Sequence, residues 1–117
     1  MSLPIRISKP WGYEIIWAQT NLYVGKILHI EVGKRLSLQY HERKDESIYV
    51  LKGELQLDIE TESLKVTKCM GPGETYHIQP GCIHRMTGIT ECEVLEASTP
   101  ELSDVIRIED DYHRLKE

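Results

Sequence analysis

Closely spaced glycine and proline residues divide the chain into short runs, and this spacing limits the fold more than any other feature. The runs are rich in β-branched residues, leucine and tyrosine. In residues 54–60 polar and apolar residues alternate strictly, which places Leu55, Leu57 and Ile59 on one face of a strand. Short strands separated by turn signals are typical of an all-β sandwich or barrel.

Six runs are predicted as strands on this basis, whereas the evidence for helices is weak. The six runs are residues 22–32, 35–41, 47–51, 54–59, 64–68 and 92–96. Lys52-Gly53 is typical of a tight hairpin turn. The tail, residues 103–117, is expected to hold a strand followed by a short helical turn. The 117 residues contain no repeat or linker and suit a single domain.

The composition argues against several classes of protein. Lysine and arginine number 14 against 19 aspartates and glutamates, so the net charge is −5 and a nucleic-acid partner is not expected. No run approaches the ~18 consecutive apolar residues of a membrane-spanning helix, and no secretory signal is expected in residues 1–6. Three cysteines without a CxxC pair argue against a disulfide framework and favour a cytoplasmic location.

One predicted strand carries side chains that suit a binding site. Between residues 36 and 41 apolar residues alternate with Ser37, Gln39 and His41, so these three share a face. Taken alone, this pattern fits a half-buried strand with one solvated face. Glu46 follows after a charged turn, and the turn at residues 80–83 places His84 at the start of another strand. Two imidazoles, a carboxylate and an amide oxygen could surround a zinc, manganese, iron, cobalt or nickel ion.

The spacing of these residues resembles the first cupin motif. That motif has Gly, five residues, His-x-His, three or four residues, Glu, six residues and Gly. The matching positions are Gly33, Gln39, His41, Glu46 and Gly53, with Gln39 in place of the first histidine.

A second stretch resembles the second cupin motif. His84 stands in its metal-ligand position, between Gly73 and Gly88. The usual Pro-x-Gly is replaced by residues 79–81, and the final Asn is replaced by Gly88. The resemblance implies a single all-β cupin domain over residues 1–117. Such a domain is a double-stranded β-helix, or small jelly-roll barrel, and its core is expected at about residues 22–98.

The glutamine in the first ligand position is similar to the type II mannose-6-phosphate isomerase domain. In many bacteria that domain is the C-terminal part of a bifunctional enzyme with mannose-1-phosphate guanylyltransferase. Three other segments also resemble it: residues 9–12, 83–85 and 109–114. The nucleotidyltransferase part has no counterpart in these 117 residues, so guanylyl transfer is not expected of them.

This resemblance implies a cofactor, a reaction and a set of ligands. The implied ligands of one divalent metal ion, zinc before manganese, iron, cobalt or nickel, are Gln39, His41, Glu46 and His84. A bound cation can polarise a sugar carbonyl and stabilise the enediolate between mannose 6-phosphate and fructose 6-phosphate. The expected partner is therefore a small sugar phosphate.

Three further residues are candidates for catalysis or substrate binding. Arg85 follows the metal histidine in the related family and suits a phosphate or oxyanion, although strand alternation would point it away from His84. Lys26 shares a face with apolar residues, where a substrate phosphate could pair it or its chain could reach water. Ser37 could bind a sugar hydroxyl or be a buried, satisfied hydroxyl.

Other conspicuous residues are expected to be structural. His29 and His77 are placed on sheet faces, and Trp11 and Trp17 in core or edge packing. The cysteines are taken as packing residues, and the neighbourhood of Cys82 leaves a reactive thiol there as the alternative. Residues 42–45 are interpreted as a solvated turn and residues 109–111 as a surface segment.

Alternatives to the isomerase remain open from sequence. The chain could be a non-catalytic cupin that binds a sugar or nucleotide sugar, or another cupin enzyme such as a dioxygenase or a sugar-nucleotide epimerase. A small barrel leaves unpaired backbone groups on its edge strands. We therefore expect a homodimer formed by strand exchange or edge pairing.

Overall fold

The structure, a computed structural model, describes residues 2–114, which form eleven strands in two antiparallel sheets. The six-stranded sheet has the order β1 (Ile5–Lys9), β2 (Gly12–Gln19), β3 (Val24–Ile30), β10 (Cys92–Ser98), β5 (Glu46–Lys52), β8 (Thr75–Ile78). The five-stranded sheet has the order β11 (Ile106–Glu109), β4 (Leu38–Tyr40), β9 (Ile83–Gly88), β6 (Leu55–Glu60), β7 (Lys65–Met70). The all-β prediction is confirmed.

The core lies between the two sheets and is built by strand alternation. Leu55, Leu57 and Ile59 of β6 are each at most 2% exposed, whereas the residues between them are half-buried. Ile48 and Val50 of β5 face them from the other sheet and are equally buried. At ~25 cal/mol per Å² of apolar surface, this contact between sheets is a main source of stability.

The six predicted strands are all present, but their first and last residues differ from the predicted ones. The run 35–41 forms only the short strand β4, preceded by an isolated bridge between Arg35 and Thr87. β1, β2 and β8 were not predicted as strands.

The tail and the hairpin turn can be compared with their predictions. The strand predicted in the tail is β11, but residues 111–113 form a turn, so the predicted helical turn is wrong there; residues 115–117 lie outside the described residues. At the hairpin Gly53 has φ +83°, and a Cβ there would lie 2.3 Å from the Glu91 carbonyl oxygen. Glycine is therefore required at that turn.

No helix in the described range is long and apolar enough to cross a membrane.

The crossing from β4 to β5 positions the candidate site. The chain leaves the five-stranded sheet after Tyr40, turns at residues 41–45 and enters the six-stranded sheet at Glu46. In the five-stranded sheet Gln39 of β4 pairs with His84 of β9. The C-terminal end of β4 in one sheet and the N-terminal end of β5 in the other therefore lie at the same end of the sandwich.

Candidate metal centre

Three side chains from β5, β9 and the turn after β4 converge between the sheets. His41 Nε2 and His84 Nε2 each lie 3.5 Å from Oε2 of Glu46. The three residues are 6%, 2% and 3% exposed in that order. Within residues 2–114 they are the one group of His, Cys, Asp or Glu side chains whose ligand atoms lie within 4.8 Å of one another. The donors are two nitrogens and a carboxylate oxygen, a set that zinc and other divalent ions accept.

Both histidines are held with Nε2 directed at the centre. Nδ1 of His41 lies 2.5 Å from the carbonyl oxygen of Asp104, and Nδ1 of His84 lies 3.0 Å from that of Cys82. A carbonyl oxygen only accepts, so each Nδ1 carries a proton and donates it. The Nε2 lone pairs are thereby free for a cation, which is the usual arrangement of metal-bound histidines. Burial also lowers the pKa of His84, which favours its neutral form.

Glu46 supplies a buried negative charge with an unused oxygen. Within the described residues its Oε1 is buried and has no hydrogen-bond partner, although Nζ of Lys44 is at ion-pair distance, 3.3 Å. Burial acts to raise the pKa of Glu46, but contact with His41 and the charge of Lys44 outweigh it and lower the pKa. The other oxygen, Oε2, lies 3.5 Å from Nε2 of both histidines. An ionised carboxylate beside two imidazole nitrogens fits a divalent cation.

Gln39 and Ser37 lie together beside the triad. Both line the same cavity, and Nε2 of Gln39 donates to Oγ of Ser37 at 2.8 Å. With the amide nitrogen engaged, the amide oxygen is the Gln39 atom suited to a cation. Ser37 is fully buried, so its hydroxyl acts as the acceptor that orients the amide.

The cavity has a volume of about 110 Å³ and a charged wall, of which the sequence indicated only Lys26. Lys44 is only 5% exposed, and its Nζ lies 3.0 Å from Oε2 of Glu96. Burial acts to lower the pKa of Lys44, but the carboxylates of Glu96 and Glu46 outweigh it and raise the pKa. The interpretation of residues 42–45 as a solvated turn is therefore wrong for Lys44, which these carboxylates hold inside.

A second buried ion pair lines the cavity. Nζ of Lys26 lies 3.1 Å from Oε2 of Glu14, and both side chains are about nine-tenths buried. Lys26 faces inward, as its strand alternation predicted, but a protein carboxylate pairs it in this structure. Glu14 was missed, although it stands as the lone acidic residue in the mainly apolar strand β2.

The segment after β10 closes one side of the cavity. Its wall consists of Leu102, Val105, Arg107 and Arg114. Nε and Nη2 of Arg114 donate to the two carboxylate oxygens of Asp110, at 2.9 and 3.1 Å. Residues 109–111 are expected from sequence to be a surface segment, and Glu109 and Asp111 are exposed, whereas the side chain of Asp110 is buried beside Arg114.

Arg85 lies away from the cavity. It follows His84 in β9, so its side chain leaves the opposite face of the sheet. Its guanidinium donates to the carbonyl oxygens of Leu36 at 3.0 Å and Glu109 at 3.2 Å, and it is 5% exposed. The structure therefore does not bring Arg85 together with the other site residues predicted from sequence.

The remaining histidines and tryptophans lie outside the site. His29 stacks on Tyr13 with ring centroids 4.6 Å apart, and His77 pairs with Asp45 on the surface. Trp11 is in the core, whereas Trp17 is 51% exposed and covers the sheet at Gly25.

Cys82 is a packing residue in this structure. It belongs to the hydrophobic core, and burial raises the pKa of its thiol, which keeps it protonated. Cys69 and Cys92 are also free thiols. Cys82 contributes its carbonyl oxygen, rather than its sulfur, to the arrangement around His84.

A curated protein is similar to this chain in sequence. The mannose-1-phosphate guanylyltransferase ManC of Salmonella typhimurium (strain LT2) is 30% identical over 115 residues. The match covers 93% of this chain but only 23% of that protein. The chain thus spans less than a quarter of the length of this curated relative.

Solved structures share the fold at low sequence identity. KdgF from Halomonas sp. has a TM-score of 0.73 at 20% identity, with 88% of this chain and 98% of that chain covered. An RmlC-like cupin from Shewanella frigidimarina NCIMB 400 has a TM-score of 0.75 at 15% identity, covering 86% and 87%. Oxalate decarboxylase from Bacillus subtilis has a TM-score of 0.80 at 15% identity, covering 90% and 30%.

The family itself follows from the sequence match. The family model described as Cupin domain matches residues 26–98, which is more than half of the chain. Both cupin motifs lie within that range, as does the triad of His41, Glu46 and His84. The chain therefore belongs to the cupin domain family.

Proposed function

We propose that the chain is a metal-dependent sugar-phosphate isomerase that interconverts mannose 6-phosphate and fructose 6-phosphate through an enediolate. The observation that carries the proposal is the convergence of His41, Glu46 and His84 in a cavity that also holds lysine and arginine side chains. The relative among mannose-1-phosphate guanylyltransferases supports a mannose phosphate as substrate.

In this proposal four residues hold one divalent metal ion, with zinc favoured. They are Gln39, His41, Glu46 and His84. When bound, the ion supplies Lewis-acid polarisation of the sugar carbonyl, which makes the neighbouring C–H proton easier to remove. Lys44 offsets part of the negative charge of Glu46 and Glu96, which makes the surroundings of the ion less repulsive to an anionic substrate.

The cationic wall is proposed to bind the phosphate. Lys9, Lys26, Arg107 and Arg114 all line the cavity. Lys26 would contact a phosphate oxygen while Glu14 holds its ammonium in place, since Lys26 can donate to both at once. Ser37 would orient Gln39 rather than touch the sugar. Arg85 has no part in this arrangement, because its guanidinium is engaged on the outer face.

The proposal takes residues 1–117 as one domain, since strands from residue 5 to residue 109 share the two sheets. A cytoplasmic location is proposed with it, because the three cysteines are free. The homodimer expected from the sheet edges stays a prediction, which light scattering at micromolar concentration can test.

A coupled assay tests the isomerase directly. Purified protein is supplied with Zn²⁺, Mn²⁺ or Co²⁺ and mannose 6-phosphate, and fructose 6-phosphate is measured. The variant Glu46→Gln should abolish turnover, while the matched control Glu93→Gln, on the outer face of β10, should leave it unchanged. The proposal would be refuted if the protein converted neither mannose 6-phosphate nor another hexose phosphate with any of the three metals.

A non-catalytic cupin that binds a sugar or nucleotide sugar is the second candidate. The outward placement of Arg85 favours it, because Arg85 was, with Lys26, one of the two catalytic residues expected from sequence. Calorimetry with mannose 6-phosphate and with a nucleotide sugar separates the two, since binding without turnover identifies the binding protein. Oxygen consumption with ferrous iron would instead indicate a dioxygenase.

A further inference from the structure

Asp104 contacts the turn that carries His41 through both its backbone and its side chain. Its carbonyl oxygen accepts the Nδ1 proton of His41 at 2.5 Å. Its carboxylate accepts three consecutive backbone N–H groups, those of Glu42 at 3.2 Å, Arg43 at 2.7 Å and Lys44 at 2.9 Å. One residue therefore makes four hydrogen bonds to residues 41–44.

The three N–H groups form a concave anion site of the kind that successive backbone amides create. A carboxylate bound there fixes the backbone of the turn, since each N–H must point at the same two oxygens. The same contacts hold the carbonyl of Asp104 over Nδ1 of His41. The side chain of Asp104 thus determines where its own carbonyl oxygen lies.

The two histidines of the triad are oriented in different ways. His84 donates to the carbonyl of Cys82, two residues away on the same turn, so its orientation is local. The acceptor for His41 is 63 residues away in the sequence, in the segment after β10. The direction of the His41 ring therefore depends on where Asp104 lies against the turn.

Other contacts dock the same segment at both ends. Near its start the N–H of Thr99 donates to the carbonyl of Asp45, and the N–H of Asp45 donates to Oγ1 of Thr99, each at 3.0 Å. Farther along, Arg35 donates to both carboxylate oxygens of Asp111, at 2.6 and 2.9 Å. Asp104 lies between these anchors and is the residue of the segment that reaches His41.

We propose that Asp104 is a positioning residue that fixes the ring of His41 for cation binding, so that the contact of Asp104 with the turn at residues 41–44 and metal affinity are coupled. The inference deepens the proposed metal site and rests on it. Coupling between two such events is reciprocal, so a bound cation should also stabilise the contact of Asp104 with this turn. Loss of a partner that orients a metal ligand typically weakens metal binding ~10–100-fold.

Calorimetric titration with Zn²⁺ alone tests the proposal on the full chain. Asp104→Ala removes all three N–H contacts and should weaken binding about 10-fold or more. Asp104→Asn keeps one acceptor oxygen and should give an intermediate affinity. Asp111→Ala is the matched control, because it removes a carboxylate contact of the same segment without touching the turn, and should bind within about twofold of wild type.

Two spectroscopic measurements report on the metal site and on the His41 ring, and neither would change if the variant were only less stable. The absorption spectrum of the Co²⁺-loaded protein should change in Asp104→Ala and stay unchanged in Asp111→Ala. Long-range ¹H–¹⁵N spectra without metal should show His41 protonated at Nδ1 in the wild type, and a mixture of tautomers in Asp104→Ala.

The possible results distinguish a failure of the role of Asp104 from a failure of the metal site. Wild-type affinity and spectra in Asp104→Ala would overturn the role of Asp104, as would an equal loss in Asp111→Ala. If the wild type bound no Zn²⁺ or Co²⁺, the metal site would fail, and the His41 tautomers would still decide whether Asp104 orients the ring. If Asp104→Ala does not fold, the intermediate effect expected of Asp104→Asn decides the question.

Discussion

The rings of His41 and His84 face each other with centroids 5.3 Å apart and planes inclined by 45°. Each ring donates its Nδ1 proton to a backbone carbonyl, so the two Nε2 atoms approach the same carboxylate, that of Glu46. The fold thus holds three donors around one point through hydrogen bonds and packing. This preorganisation lowers the cost of ordering the site when a cation arrives.

Replacing Lys44 with methionine should destabilise the protein. The change leaves the buried carboxylates of Glu46 and Glu96 without their shared cation, and breaking a buried ion pair typically costs about 3–5 kcal/mol. Urea unfolding at pH 7 measures the loss, with the exposed Lys52→Met as control. Adding Glu96→Gln to Lys44→Met should restore part of the stability. A loss below about 1 kcal/mol would show that the cation is not needed there.

Replacing Lys26 with methionine should raise the KM for mannose 6-phosphate more than it lowers kcat. In the proposed complex the phosphate would lose a charged donor, worth about 1.5–3 kcal/mol, and would meet the unpaired carboxylate of Glu14. Steady-state kinetics measure both constants, and the exposed Lys65→Met serves as control. An unchanged KM would exclude Lys26 from the phosphate contact.

Replacing Arg85 with methionine should lower the free energy of unfolding without weakening Zn²⁺ binding. The carbonyls of Leu36 and Glu109 lose a charged donor, which is worth about 1–3 kcal/mol. Urea unfolding and zinc titration measure the two quantities. If turnover were lost while stability and zinc affinity stayed at wild-type values, Arg85 would regain the catalytic role expected from the sequence.

Stability should decrease in acid through Asp110. Hydrogen bonding to Arg114 holds the pKa of this carboxyl below its ordinary 3.8 in the folded state. A depressed pKa contributes stability that is present above pH 3.8 and is lost as the pH falls through the folded pKa. Urea unfolding of wild type and Asp110→Asn at pH 6 and pH 3 measures this. The variant should lose less stability between the two values; equal losses would contradict the assignment.

Much of the barrel could be predicted because its information is local. The alternation of Leu55, Leu57 and Ile59 predicts their burial, since the side-chain period of a strand is two. The spacing of His41 and Glu46 around one turn likewise predicts that they meet, and the structure brings them within 3.5 Å. The metal-ligand roles themselves stay predictions.

The cavity wall could not be predicted because it depends on contacts distant in sequence. Lys44 resembles any charged turn residue until Glu96, 52 residues later, is placed beside it. Asp104 shows no motif, and its role depends on the docking of the segment after β10. Arg85 shows the opposite error, because alternation pointed it outward while the family resemblance pointed it at the substrate.

Metal analysis of protein purified without chelators tests the central claim most directly. The account predicts about one equivalent of a divalent transition metal per chain in the wild type, and its loss in folded Glu46→Ala and His84→Ala. Wild-type protein that takes up no metal even when Zn²⁺ is supplied, or variants that keep the wild-type content, would contradict it.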